Sequence, residues 1–360
     1  MNEKKSKNYN ITLIPGDGVG PEIIEATQSV LEASGIKFNW DIQDAGLNIF
    51  EKIGDVLPKS TINSIERNKI ALKGPTATPL KTGHRSVNVA LRKKFDTYAG
   101  IRPYKIYPGV QTRYQDVDLV VLRENLEGLY SGFEFEEGRK RTQELIELAA
   151  KDNFFIRKDS SISLKIVSRF ASKRVFNFAF KYAKENNRKK ITVIHKANIL
   201  KYSDGLFLEV AQEVAKKYPE IEFEDQLIDS LSMNLVRNPE KYDILVCPNL
   251  YGDIISDLCA GLVGGLGVCP GANIGDEYAI FEPVHGAMQK YEGLNKTNPT
   301  AAILSGVMML KFLKEFEAAE KIERAISQVI REKKAVTYDI KKESSVGTKE
   351  MSGAIIKKIV

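Results

Sequence analysis

The sequence predicts an α/β protein built on a largely parallel sheet. Short apolar runs rich in β-branched residues recur at 11–14, 69–73, 118–123, 191–195 and 243–247. Helical periodicity fills the gaps between them, as at 169–185 and 205–217. Strands that alternate with helices are joined most simply by crossovers, which make the sheet parallel. The chain has 360 residues, room for about two domains of ~150 residues each. No repeat, low-complexity segment or linker marks a boundary between them.

Composition removes several function classes. Lys and Arg number 53 against 47 Asp and Glu, a net charge of +6, and the base falls in short scattered clusters such as Arg188-Lys189-Lys190. Scattered base reads as solvated surface rather than a nucleic-acid footprint. Cys247, Cys259 and Cys269 form no CxxC pair, which argues against a disulfide framework or thiolate zinc site and for a reducing compartment. The opening MNEKKSKNYN has no apolar core, and its Glu3 is unlike a transit peptide. The longest uncharged stretch, 258–275, is broken by six glycines and Pro270, so it does not read as a membrane helix. The expectation is a cytoplasmic protein that binds a small molecule, with neither nucleic acid nor membrane as partner.

The elements follow in order. The run 11–14 ends in PGDGVGPE, with a helix expected from Pro21 because proline suits a first turn and Glu22 suits a helix N-terminus. The dinucleotide fingerprint GxGxxG fails here, since Pro21 stands at its last glycine and no convincing ribose-binding acid follows. A tight strand-to-helix turn is the expectation. Residues 132–165 depart from the alternation, and FEFEEGRKRTQE reads as a two-sided polar hairpin, a candidate arm. Near the C-terminus 300–312 is almost wholly apolar, so that helix must be buried. The following 315–334 is amphipathic.

Several segments carry residue types suited to chemistry. Ser86, Asn88, Arg92 and Arg102 lie close together, with Asn88 and Arg92 sharing a helical face at i, i+4. Arg123 follows at a strand end. Planar guanidinium forks match carboxylates, so three arginines with hydroxyl and amide donors suit a ligand bearing several of them. Tyr130, in LYSG, and Lys196, in IHKAN, are candidates for acid or base work beside such an anion pocket. In NLYGDIISDLCAG, Asp253 and Asp257 put two carboxylates on one helical face, an odd choice unless a cation sits between them. Hard oxygen ligands of this kind suit Mg2+ or Mn2+. The segment GANIGDEYAIFEPVHGAMQKYEG reads as a surface loop. Its backbone N–H groups and Lys290 are suited to a phosphate, and His285-Gly286 to a base.

Together these motifs resemble the β-decarboxylating dehydrogenases, the isocitrate, 3-isopropylmalate and homoisocitrate enzymes. The resemblance runs from IPGDGVGPEI to VTYDI and keeps the family order GPTATP, SVN, LR, RP, REN, LYSG, HKAN, GDIISD, HG. It implies a two-domain, parallel-rich α/β fold that is not a Rossmann fold. A large domain would comprise 1–97 and 265–360, and a small domain 98–264, including a clasp arm at 131–168.

The resemblance also assigns roles. Ser86 and Asn88 match the isocitrate enzymes and would read the third carboxylate of isocitrate, with Arg92, Arg102 and Arg123 clamping the others. Tyr130 would protonate carbon after decarboxylation. Lys196 would be the base-side residue, reaching across a homodimer interface, with Asn198 near the nicotinamide. Asp229, also from the partner, would join Asp253 and Asp257 on Mg2+ or Mn2+. Thr78, Asn298 and the loop His285, Gly286, Ala287 would line the coenzyme. Lys290 and Tyr291, with Tyr338 and Lys342, resemble the 2′-phosphate contacts of NADP-dependent members, although Lys342 replaces the usual arginine. The implied reaction is oxidative decarboxylation of isocitrate to 2-oxoglutarate and CO2 with NADP. The alternatives are an NAD-dependent isocitrate, homoisocitrate or 3-isopropylmalate dehydrogenase, or a non-catalytic regulatory subunit. Leu126, Leu129, Ala287 and Gln289 depart from common family residues and put substrate preference and rate in question.

Overall fold

The five expected strands join five others in a ten-stranded sheet, beside a separate two-stranded one, in a computed structural model that describes residues 7–78 and 86–360. In chain order the strands are β1 (Asn8–Ile14), β2 (Lys37–Ile42), β3 (Ile70–Lys73), β4 (Ala99–Lys105), β5 (Asp118–Glu124), β6 (Glu134–Phe135), β7 (Ile162–Ser163), β8 (Lys190–His195), β9 (Glu222–Leu227), β10 (Ile244–Cys247), β11 (Pro270–Ile274) and β12 (Ala279–Pro283). The helices are α1 (Gly20–Ala33), α2 (Leu47–Ile53), α3 (Lys59–Asn68), α4 (Val87–Lys94), α5 (Lys140–Lys151), α6 (Arg169–Glu185), α7 (Ser203–Ala215), α8 (Ile228–Arg237), α9 (Asn249–Leu262), α10 (Thr300–Phe312), α11 (Phe316–Glu332) and α12 (Thr348–Ile359). The sheet order is β2-β1-β3-β12-β11-β4-β5-β10-β8-β9.

The sheet is parallel towards both edges and antiparallel at its centre. There β11 pairs antiparallel with β12 and with β4, and β4 antiparallel with β5. Strands from the two ends of the chain (β1, β2, β3, β11, β12) fill one half, and strands from its middle fill the other. The halves meet where Ala272, Asn273 and Ile274 face Ile101, Gly100 and Ala99.

The central pair corrects one expectation. The first part of the segment read as a surface loop holds two strands, and every residue of β11 and β12 is buried. A strand covered on both faces loses the polar alternation that would announce it, and glycine and proline further hide it here. The arm is also corrected. Phe135 pairs with Ile162 and Glu134 with Ser163, but the whole helix α5 lies between the two short strands. The KRTQE stretch begins that helix instead of turning a hairpin, and α5 buries Thr142 and Ile146.

The glycine-rich turn after β1 is as tight as expected, and it is a packing junction. Gly16 and Gly18 both have positive φ, and a Cβ on Gly18 would lie 2.1 Å from the Ala287 carbonyl oxygen. Only glycine fits that backbone and that approach. Asp17 is fully buried and accepts backbone N–H groups of Leu47, Asn48 and Ala77 at 2.7–3.0 Å. The first two of these open α2, so Asp17 satisfies N–H groups that the helix itself leaves unpaired. Helix α10 buries ten of its residues, Thr300 to Val307 among them, as its all-round apolar sequence requires.

Candidate active site

Helix α4 and strands β4 and β5 bring Arg92, Arg102 and Arg123 to the centre of the sheet, where they are 5%, 7% and 1% exposed. Arginine is almost never this buried without partners. Arg123 is well supplied: its Nε and Nη2 donate to Asn249 Oδ1 at 3.0 and 2.7 Å, and its Nη1 donates to Asp253. Arg92 has one long bond, Nη2 to Glu282 Oε1 at 3.4 Å. The Nε atoms of Arg92 and Arg102 are buried with no hydrogen-bond partner among the described residues. Burial, then Arg92, then Arg102 push the Arg123 guanidinium down to about 10. Three like charges that disfavour one another, with donors left over among the described residues, are suited to an anion.

Around this pocket lie smaller polar groups. Ser86 precedes α4 but its hydroxyl does not cap the helix. Asn88 accepts a hydrogen bond from Thr76 Oγ1 at 3.2 Å through its Oδ1. Beneath them Lys73 Nζ and Glu282 Oε2 form an ion pair at 2.9 Å with both groups almost fully buried. Burial alone would raise the Glu282 carboxyl, but Lys73 and Arg92 hold it down to about 2. Asn273 Nδ2 donates to Glu282 at 2.8 Å, and Asn125 Nδ2 to Asn273 at 2.9 Å, so a buried polar chain crosses the seam of the sheet.

The two aspartates of α9 sit as their spacing demands. Asp253 accepts from both Arg123 and the Tyr130 hydroxyl. Burial would raise its carboxyl, yet Arg123 and then Tyr130 lower it. Asp257 is raised by burial and then by Asp253, the unrelieved like-charge contact that a cation would relieve. Among the described residues no group of three His, Cys, Asp or Glu side chains could hold a metal ion. The two carboxylates therefore fit part of a divalent metal's oxygen shell, and further ligands must come from elsewhere. Tyr130 lies with its ring 4.7 Å from the Arg123 guanidinium, and burial together with Asp253 raises its hydroxyl, keeping it protonated.

Lys196 and Asp229 lie apart from this cluster's bonds. They pair with each other at 2.6 Å, with side chains 26% and 64% exposed. Asp229 is lowered first by that lysine. Asn198 is exposed two residues further on.

The coenzyme-side residues are mixed. His285 is buried, and burial lowers its basicity. Its Nδ1 lies 3.1 Å from the Gly286 carbonyl, and its Nε2 is a buried acceptor without a partner among the described residues. Ala287 is buried, its carbonyl taken by the Val19 N–H. Lys290 Nζ lies 4.8 Å from the Tyr291 ring centroid, and the Tyr291 and Tyr338 rings are 6.1 Å apart. Thr78 and Lys342 are exposed. Asn298 is spent internally, donating to Asp339 at 2.9 Å and accepting from the Thr300 N–H at 3.0 Å.

Sequence reasoning missed Asn249, Lys73, Glu282 and Asn273. The signal for Lys73 and Glu282 is a lone charge inside an apolar strand, in IALK and AIFEP. Gly252 was missed too: a Cβ there would lie 2.7 Å from the Arg123 side chain, so α9 can approach the arginine only with glycine at that turn.

Residues 10–355 match the family model described as isocitrate/isopropylmalate dehydrogenase. A Drosophila melanogaster protein named probable NAD isocitrate dehydrogenase subunit alpha, mitochondrial, is 47% identical over 93% of this chain and 84% of its own length. A Thermus thermophilus protein named NADP isocitrate dehydrogenase is 42% identical over 92% of this chain and 63% of its own. The crystal structure of isocitrate dehydrogenase from Methylococcus capsulatus superposes with a TM-score of 0.91 at 46% identity, covering 98% of this chain and 99% of that one.

Proposed function

The chain belongs to the isocitrate/isopropylmalate dehydrogenase family, and on that premise we propose that it oxidatively decarboxylates isocitrate to 2-oxoglutarate and CO2, with NADP as hydride acceptor and a divalent metal, Mg2+ or Mn2+. One observation carries the reading: three buried guanidinium groups lie together, two of them, Arg92 and Arg102, with Nε atoms unpartnered among the described residues, beside the side-chain amide of Asn88. A tricarboxylate supplies the charge and the acceptors that this pocket lacks.

In this reading Arg92, Arg102 and Arg123 bind two carboxylates, while Ser86 and Asn88 read the third. Lys196 serves the side where the C2 hydroxyl loses its proton as hydride leaves for the nicotinamide. The C–C bond to the departing carboxylate then breaks, its electron pair staying with the carbon that remains, and Tyr130, held protonated, delivers a proton to that remaining carbon. Asp253 and Asp257, with Asp229 of a second copy, would hold the metal, which supplies Lewis-acid polarisation of the substrate oxygen when bound. Apolar side chains left exposed on α8 (Met233, Val236), on α9 (Ile254) and on the arm (Phe154, Phe155) support a homodimer with shared sites. The domain division is proposed at the seam of β11 and β4, with 1–97 and 265–360 against 98–264. A cytoplasmic location rests on three buried free thiols.

The coenzyme has a second reading. Lys290 beside Tyr291 and Tyr338 favours a 2′-phosphate, but relatives such as the Drosophila protein bear names specifying NAD. A steady-state assay of the purified chain decides both questions, crossing isocitrate, homoisocitrate and 3-isopropylmalate with NADP and NAD, with and without Mg2+. Isocitrate turnover with NADP, abolished by a chelator, is expected. A win for another substrate or for NAD overturns that part, and silence across the grid favours a regulatory subunit. In the same assay, Lys290→Asp with Tyr291→Ile should shift preference from NADP towards NAD by roughly tenfold or more.

A further inference from the structure

One fully buried carboxylate has no place in the chemistry above. Asp204, second residue of α7, is 0% exposed. Lys165 Nζ donates to its Oδ1, and its Oδ2 accepts the backbone N–H of Lys196 at 2.7 Å. Lys165 comes from the stretch between β7 and α6. Its Nζ lies 4.6 Å from the Tyr251 ring centroid on α9 and 3.4 Å from that hydroxyl. Taking a carboxylate out of water is costly unless it is paired and its remaining lone pairs are used, and here both conditions are met.

The backbone around Lys196 is held on every side. Its carbonyl accepts from the N–H groups of Ile199 and Leu200 at 2.9 and 2.8 Å. The next N–H, of Ala197, donates to His195 Nδ1 at 3.0 Å. That nitrogen is therefore an acceptor, and the imidazole proton sits on Nε2, 2.9 Å from Asp225. Of Lys196 only the side chain is left to move.

We propose that Asp204, itself seated by Lys165, is a positioning residue: it fixes the backbone from which Lys196 reaches the reacting centre, without meeting substrate. This rests on the reading of Lys196 as the base-side residue. The acceptor atom is what the loop needs, and the charge is needed only to balance Lys165. A neutral pair that keeps the acceptor should therefore preserve the site, and a neutral pair without it should not.

Two double variants separate these cases. Lys165→Met with Asp204→Asn should keep kcat within about threefold of the parent. Lys165→Met with Asp204→Leu should lose kcat by about tenfold or more, with the isocitrate KM within about twofold, because Lys196 does not hold the substrate. Hydrogen exchange at the Lys196 amide, measured without substrate, should accelerate in the leucine variant and stay protected in the asparagine variant. Should the leucine variant fail to fold, Lys165→Met with Asp204→Ala answers the same question. Unchanged exchange, unchanged kcat, or a KM that rises in step with the loss of kcat each overturns the proposal. If the parent does not turn over isocitrate, the functional reading fails, and exchange alone then decides whether Asp204 holds the loop.

Discussion

The arginine pocket and the Lys196–Asp229 pair are built on opposite terms. Arg123 is 1% exposed, its charge balanced by Asp253 and its fork filled by Asn249, all from one chain. The Lys196 and Asp229 side chains are 26% and 64% exposed, and their ion pair is with each other. A buried ionic cluster is expensive to assemble, so its geometry is fully determined by the chain that buries it. An exposed pair is cheap and weakly held, and it is open to rearrangement against a second molecule. The first geometry is set within this chain, and the second is open to rearrangement, as the proposed shared site requires.

The largest effect should come from testing that asymmetry directly. Lys196→Met and Tyr130→Phe should each nearly abolish turnover, yet subunits of the two variants mixed and reassembled should regain about a quarter of the parent rate, because half the dimers then hold one intact site. No recovery on mixing, judged by the steady-state rate after joint refolding, would put both residues in one subunit's site and end the contrast.

Next in size is Arg102→Ala, which removes a guanidinium whose Nε has no partner among the described residues. Charged hydrogen bonds of this type are worth about 1.5–3 kcal/mol, so kcat/KM should fall by roughly 10–100-fold. Thermal stability should hold or rise, since a buried like charge is relieved. A drop in melting temperature would mean the arginine is structural.

Smaller effects sharpen the buried side through pH. The Glu282 carboxyl is held at about 2, below its ordinary value of 4.5. Its contribution to stability is therefore complete above pH 4.5 and lost as pH falls through the interval towards 2. Glu282→Gln should cost about 3–5 kcal/mol at neutral pH, the usual result of breaking a buried pair, and flatten the acid limb of a melting curve taken against pH. Asp229→Asn, in the exposed pair, should leave that curve nearly unchanged.

Glu124 runs the other way. Burial pushes it up to about 7, although the N–H groups of Leu126 and Glu127 oppose the rise. The folded state then binds the proton more tightly than the unfolded one, so stability falls as pH rises from 4.5 to 7 and levels off above. Glu124→Gln should remove that slope in urea titrations between those pH values. A slope that persists would assign it to another group.

The interior strands β1, β3, β5, β8 and β10 and the long helices were legible in the sequence as apolar runs and helical periods, whereas the edge strands β2 and β9, half-exposed and carrying charge, were not. Helix α6 runs over the predicted 169–185 from end to end, with Ser168 capping it. The Asp253–Asp257 spacing, the arginine cluster and the failed dinucleotide fingerprint were equally local signals. The central hairpin of β11 and β12 was not legible, because burial on both faces erases alternation. Nor was α5 inside the arm, where charge concealed a shallow apolar stripe.

What the sequence by itself determined, then, is the α/β class, the family motifs and the residue types of the site, all properties written within a few consecutive residues. Only the tertiary structure decided which charges meet. Lys73, Glu282 and Arg92 are distant in sequence, yet they share one buried network. Asp204 reaches the Lys196 backbone only because α7 folds back on β8. Pairing of buried charge depends on distances of a few ångströms between elements remote in the chain, and no local pattern encodes those.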